Sequence, residues 1–332
     1  MSGRLGGVAL WSLLCILIAL LSLWSLTVGA SGYGMGDVLR AIGSNGDDRV
    51  ALVVNGVRLP RVLAALIVGA TLALAGAIMQ AVTGNPMADP GLLGVNAGAA
   101  FLVVVALAFF NIDAAGQLVW FAFAGAAGAA VLVYALGSGG RGGATPLKLI
   151  LAGVVVASFL GAVTMAVLVV DGETFDAVRL WTAGSLKGRE MSQVAALAPY
   201  ALMGCVGAVM MARQFTALSL GGEVATGLGQ RQGVWRAVAL ALVVVLAGSA
   251  VALAGPVGFV GLVVPHIVRL VGGADYGRIL PFAILVGAGL TLLADTLPRA
   301  LWHRDMPVGI SMALIGAPVF IWLARRNVGR AA

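Results

Sequence analysis

The chain has 332 residues, 61% of them hydrophobic and only 10% charged, with a mean hydropathy of +1.06. Soluble globular domains carry about 25% charged residues, so this composition excludes an ordinary water-soluble fold and calls for a bilayer as solvent. The net charge of +7 does not indicate nucleic acid, because the basic residues sit in short loops between apolar runs and form no stripe interleaved with aromatics.

A hydrocarbon layer of ~30 Å needs about 20 helical residues at ~1.5 Å each. On that measure ten spans are predicted, at roughly 8–28, 62–82, 92–110, 117–136, 147–170, 192–212, 236–255, 257–271, 279–297 and 308–324. The fold class expected is therefore an all-α polytopic membrane protein. Its 48 glycines suit helices whose backbones approach closely. The first span follows Arg4 and precedes V-G-A-S-G, which also fits a signal peptide. Its apolar run exceeds the ~7–15 residues of a signal h-region, which favours a retained helix.

Arg58 and Arg61 flank Pro60 just before span two. Interfacial snorkelling is the plain reading of such side chains. Span two ends in Asn85-Pro86-Met87-Ala88-Asp89-Pro90-Gly91, a helix stop with Asp89 placed to cap a restart. Gly137–Gly142 spells G-x-G-x-x-G but follows a membrane helix rather than a strand, so it predicts no dinucleotide site. The loop before span five ends near Pro146 and Leu147. The most polar loop, 213–236, contains L-G-G-E-V-A-T-G-L-G, a short helix flanked by glycines. The eighth and tenth spans are short, and Pro256, Pro265 and Pro318 predict kinks or broken helices there.

His266, beside Pro265, reads as a packing or hydrogen-bonding residue. Asp295 is the one acid inside a span, and pairing with Arg299 at i, i+4 is its simplest account. Cys15 and Cys205 lie in apolar runs without metal-type spacing, and with only two histidines no metal site is expected. No P-loop occurs, so the chain carries no ATP site of that kind, and no catalytic residue is expected.

If the N-terminus is inside, the inner loops hold Arg4, Arg141, Lys148, Arg213, Arg231, Arg236, Arg269, Arg278, Arg325, Arg326 and Arg330. That is eleven of the twenty basic residues, a small positive-inside bias. No loop is long enough to hide a soluble domain.

Four blocks, R-L-P-R through V-N-A-G-A-A (58–100), L-G-G-E-V-A-T-G-L-G, G-P-V-G-F-V-G-L-V-V-P-H-I-V-R-L (255–270) and I-G-A-P-V-F-I-W-L-A-R-R (315–326), resemble the FecCD-type permeases of ATP-driven importers for iron–siderophores, haem and vitamin B12. The resemblance covers about 58–330 and is nearest to ferric-siderophore members. It implies a type II ABC importer permease fold, with 1–332 as a single transmembrane domain in the bacterial cytoplasmic membrane and both termini cytoplasmic. The implied partners are two cytoplasmic ATPase subunits, which would bind ATP and Mg, a periplasmic or lipid-anchored substrate-binding protein, and a second permease copy or paralogue.

The resemblance also implies roles for residues. Arg58, Arg61 and Arg299 would dock glutamates of the binding protein. Asn85 and Met87, the latter in place of a commoner Leu, would line a cytoplasmic gate opposite Pro146 and Leu147, where the family often has small hydroxyl residues. Glu223, Ala225, Thr226, Leu228 and Gly229 would couple to the ATPase. An ion-coupled secondary transporter is the rival reading, and a structural membrane scaffold a third. The former needs an intramembrane ion site, for which only Asp295 qualifies.

Overall fold

The computed structural model describes residues 2–29, 31–44, 48–112, 114–139 and 145–328, and every regular element among them is helical. Arg141 and Arg330, counted above as inner basic residues, lie outside the described residues, as do the last three positions of the 137–142 glycine run.

In chain order the helices are α1 (Ser2–Thr27), α2 (Met35–Ala41), α3 (Arg49–Val53), α4 (Leu59–Thr83), α5 (Val95–Phe110), α6 (Ala115–Ser138), α7 (Pro146–Val170) and α8 (Gly172–Thr182). There follow α9 (Met191–Met210), α10 (Ala212–Ser219), α11 (Gly222–Gly227), α12 (Gln232–Ala254), α13 (Val260–Gly272), α14 (Tyr276–Trp302) and α15 (Val308–Val328). Seven stretches are long and apolar enough to cross a membrane, and three shorter apolar helices, in α5, α13 and α15, coincide with the remaining predicted spans.

Span two is longer than its hydropathy suggests. The helix runs without interruption from Arg49 to Thr83, with a π turn at Val54–Arg58 joining α3 to α4. Pro60 therefore does not begin the helix, as the sequence implies. A proline ring normally collides with the carbonyl four residues earlier, and the wider π turn immediately ahead of it relieves that crowding. As a result Arg58 and Arg61 sit within a helix rather than in a loop before it.

α4 is the axis of the molecule, buried along nearly its whole length and packed by α14, α12, α13 and α9. Glycines permit this. Gly69 lies against Gly287 of α14, and Gly76 against Gly261 of α13, so closely that a Cβ on Gly76 would stand 2.1 Å from the Gly261 carbonyl oxygen. Between helices in lipid, such backbone proximity maximises dispersion contacts where no hydrophobic drive exists. α5, α6 and α7 pack together beside this axis, with Gly98 and Gly125 in similar contact. α1 runs along α14, and Thr296 Oγ1 of α14 donates to the fully buried Ser25 Oγ at 2.9 Å.

Of the flagged prolines, Pro256 falls in a true break between α12 and α13, where Gly255 (φ 73°) and Phe259 (φ 67°) turn the chain through the left-handed region. Pro265 and Pro318 are absorbed within helices. The freed groups near the break are re-used, since Ser185 N–H donates to Ala254 O at 2.7 Å and Gly309 N–H to Gly184 O at 2.9 Å.

Candidate functional site

Polar side chains gather at the two ends of α4. At its start, Arg58, Arg61 and Arg299 converge although 241 positions separate the first from the last. All three are buried, at 6%, 8% and 8% exposure. Arg61 holds Asp295 through Nε and Nη2 at 2.9–3.1 Å and donates its remaining Nη1 to Asp305 at 2.7 Å. Arg299 donates to Asp295 Oδ2 at 2.7 Å, an oxygen that also accepts from Arg61 Nε, in the i, i+4 pairing expected from the sequence, and also donates to Ser25 Oγ and Val28 O. Arg58 donates to Leu26 O at 2.6 Å and Ser31 O at 2.5 Å, with its guanidinium 4.9 Å from the centre of the Tyr33 ring.

These guanidiniums therefore turn inward and are held by protein acceptors, rather than lying along the surface as snorkelling side chains would. Their outer edges, with Arg304 and Asp305, line a cavity of about 240 Å³. Asp305 sits on the short loop after α14, which leaves the helix through His303 at φ 52°. Partial burial pushes the Asp305 carboxyl up, but the hydrogen bond and charge of Arg61, with Lys187 and Arg299 nearby, outweigh it and hold it below the ordinary carboxylate value. Lys187 Nζ stands 3.9 Å from Asp305, and both Lys187 and Arg304 are exposed. The sequence reading did not single out Lys187, Arg304 or Asp305. The signal was there in the compact H-R-D that separates spans nine and ten.

At the other end, α4 stops at Gly84 in the left-handed conformation (φ 62°). Asn85 spends its side-chain oxygen inside the turn, accepting from Met87 N–H at 2.9 Å, and Met87 projects with 40% exposure. Asp89 caps the next element as expected, but that element is a single tight turn of 3₁₀ helix, Pro90–Leu93, before α5 begins. This turn packs on α7, whose Gly153 meets the Leu92 carbonyl. Pro146 and Leu147 open α7, Thr145 caps it through Lys148 N–H, and Leu147 is 66% exposed.

The polar loop 213–236 folds as α10, a left-handed Gly221 (φ 100°), and the short α11, which carries Glu223. Ala225 is fully buried and anchors α11, while Val224, Thr226 and Leu228 face outward. Gln232 of α12 ties α11 down by donating to Gly222 O and, at 2.7 Å, to Thr226 Oγ1; Gly229, at φ 79°, turns the chain away. His266 Nδ1 lies 3.2 Å from Leu262 O, consistent with a packing and hydrogen-bonding residue. Among the described residues no three metal-ligating side chains cluster.

Known proteins place this architecture. A solved structure described as an inward-facing conformation of a metal-chelate type ABC transporter superposes with a TM-score of 0.84 at 28% identity, covering 96% of this chain and 99% of that one. The chain is 41% identical to the Fe(3+)-citrate import system permease protein YfmD of Bacillus subtilis strain 168, over 91% of this chain and 90% of that protein. It is 39% identical to the ferric enterobactin transport system permease protein FepD of Escherichia coli K12, over 95% and 94%. A sequence model of the FecCD transport family matches residues 16–326, and the chain belongs to that family.

Proposed function

We propose that this chain is the membrane-spanning permease subunit of an ABC importer and carries a ferric chelate, a ferric siderophore first, from a substrate-binding protein into the cytoplasm. The observation that carries the reading is the pair of polar stations at opposite ends of one buried helix. The arginine cluster stands at the start of α4, and the Asn85–Met87 turn with α10–α11 beyond it stands at the other end. The names of YfmD and FepD, permeases for ferric citrate and ferric enterobactin, favour iron bound to an organic chelator as cargo. Haem and vitamin B12 are the alternatives on the same machinery.

In this reading the whole chain acts as one transmembrane domain in the bacterial cytoplasmic membrane, with both termini cytoplasmic, and pairs with a second copy or a paralogue. Two ATPase subunits engage the segment of Glu223, Thr226, Leu228 and Gly229 on and just after α11, with the buried Ala225 holding it in place rather than touching the partner, and supply ATP and Mg; this subunit catalyses no reaction. A carboxylate of the binding protein enters the cavity above Arg58, Arg61 and Arg299. Hydrolysis then shifts α10–α11, and the turn at Asn85–Met87, facing Pro146–Leu147, opens and shuts the inner end of the path. An ion-coupled transporter is disfavoured because Asp295, its only candidate ion ligand inside a span, is already held by two arginines.

The test is uptake into proteoliposomes containing the complex that co-purifies with the tagged chain, offered ferric siderophores, ferric citrate, haem and cobalamin. ATP-dependent accumulation of a ferric chelate that requires a binding protein is expected. Uptake driven by an ion gradient with no ATPase present would overturn the reading.

A further inference from the structure

We propose that Arg269 is a positioning residue that links the coupling segment to the gate turn, through a chain of partly buried hydrogen bonds that runs from α10 by way of α14 and α13 to the end of α4. This rests on the reading of α10–α11 as the ATPase contact. Gln80, only 3% exposed, lies one turn before the end of α4. Its Oε1 accepts from Arg269 Nη1 at 2.5 Å, and its Nε2 donates to Gly261 O at 3.2 Å and, at 3.5 Å, to Ala88 O in the turn just past Met87. Arg269, from the last turn of α13, donates its second nitrogen, Nη2, to Tyr276 Oη at 3.1 Å. Tyr276, the buried first residue of α14, donates its backbone N–H to Thr216 Oγ1 of α10 at 3.1 Å. Thr216 in turn donates to Ala212 O within α10.

The guanidinium thus joins α13 to α4 and α14, and the chain reaches α10 through the Tyr276 backbone and the gate turn through Gln80. An arginine is suited to this, because its rigid fork fixes two acceptors at once. Beside the chain lies a cavity of about 260 Å³ whose wall includes Pro86 of the gate turn and Ser219 at the end of α10. α10 also packs directly on α4 and α14, and the Gln80–Arg269–Tyr276 bridge lines this cavity between α10 and the gate turn. A displacement of α10 that left Tyr276 in place would break the Tyr276 N–H to Thr216 Oγ1 hydrogen bond, and one that carried Tyr276 along without Arg269 would strain the next; partly buried bonds of this kind are costly to leave unmade. Passing the displacement to Gln80 and the Ala88 carbonyl keeps them.

Spatial continuity alone does not demonstrate coupling, so the test reads the gate directly. In a Cys15→Ser, Cys205→Ser background, Met87→Cys is introduced, and the complex is purified with its co-expressed ATPase. The rate of labelling by a membrane-impermeant maleimide is compared without nucleotide and after trapping with MgATP and vanadate, and trapped ADP is measured in the same samples. The parent is expected to change its labelling rate severalfold on trapping. Arg269→Gln, and Tyr276→Phe, which removes one hydroxyl and is the milder variant should Arg269→Gln not assemble, are expected to trap ADP yet lose most of that change. A full change in the variants would overturn the proposal alone. No change in a parent that traps ADP would overturn the gate assignment beneath it, and no trapped ADP in any sample would overturn the importer reading itself.

Discussion

Asp295 carries more at the residue scale than the sequence suggests. Its carboxylate, 1% exposed, is shared by Arg61 and Arg299, so it offsets the desolvation of two guanidiniums. Removing one member of a buried ion network costs about 3–5 kcal/mol, whereas replacing the whole network with apolar groups is often neutral. Asp295→Ala is therefore expected to lower the melting temperature of the detergent-solubilised protein sharply. The triple variant Arg61→Met, Asp295→Leu, Arg299→Met should recover most of that loss while remaining unable to dock a binding protein. Equal losses in both would show that the network stabilises the fold outright. Asp305 differs, being half in solvent. Its folded-state pKa is depressed, so its stabilisation is complete above the unfolded value and is lost as pH falls through the folded one. The melting-temperature gap between the parent and Asp305→Asn should stay constant from about pH 8 to pH 5 and close only below about pH 4, near the ordinary carboxylate pKa. A gap that closes near neutrality would assign the effect to another group.

Helices were legible in the sequence to the extent that hydropathy alone decides them. All ten predicted spans coincide with apolar helices, because twenty apolar residues in lipid have few other ways to satisfy their backbone. What hydropathy cannot report is polar geometry. The short α2, α8 and α11 carry mixed sequences, and the π turn before Pro60 leaves no compositional trace. The partners of Arg61 lie 234 and 244 positions away, and those of Gln80 lie 181 and 189 positions away. Family resemblance points to the arginines as outward contacts, and i, i+4 spacing gives the Arg299–Asp295 pair; only the fold reveals that the forks of Arg58 and Arg61 are already engaged as well. Close approach of elements is the other feature hidden from composition, since 48 glycines do not say which of them meet. Gly76→Ala would place a methyl 2.1 Å from the Gly261 carbonyl oxygen and drive α4 from α13. A loss of about 1–3 kcal/mol is expected from such overpacking, read as a lower melting temperature. Gly116→Ala, at a position with open space around it, serves as the neutral comparison. Similar behaviour of the two variants would show that α4 and α13 have room to separate.

Charge is distributed unevenly over the whole molecule. Assigned by the loops that join the ten spans, nine basic and ten acidic side chains fall at the arginine-cluster end, and eleven basic and three acidic ones at the gate end, for net charges of −1 and +8. The Asn85–Met87 end therefore presents a strong positive field, whereas the arginine-cluster end has almost no net field. Long-range steering scales with that summed field, and a Debye length of about 8 Å at physiological salt confines what remains to close range. Docking of a binding protein should accordingly associate in the unsteered range, roughly 10⁵–10⁶ M⁻¹s⁻¹, with little dependence on ionic strength. The recognition energy should instead appear after contact, when a carboxylate enters the cavity beside Arg58, Arg61 and Arg299 and competes with Asp305 for the outer nitrogen of Arg61. Stopped-flow or surface-based kinetics on the assembled importer separates the two. Charge reversal at the exposed Arg179, away from the cavity, should change both rates little, while Arg61→Gln should speed dissociation by about tenfold or more, as loss of a desolvated charge partner does. An association rate that falls steeply between low and high salt would mean that the binding protein meets a steering field this end of the chain does not supply, and the second permease subunit would then be the place to look for it.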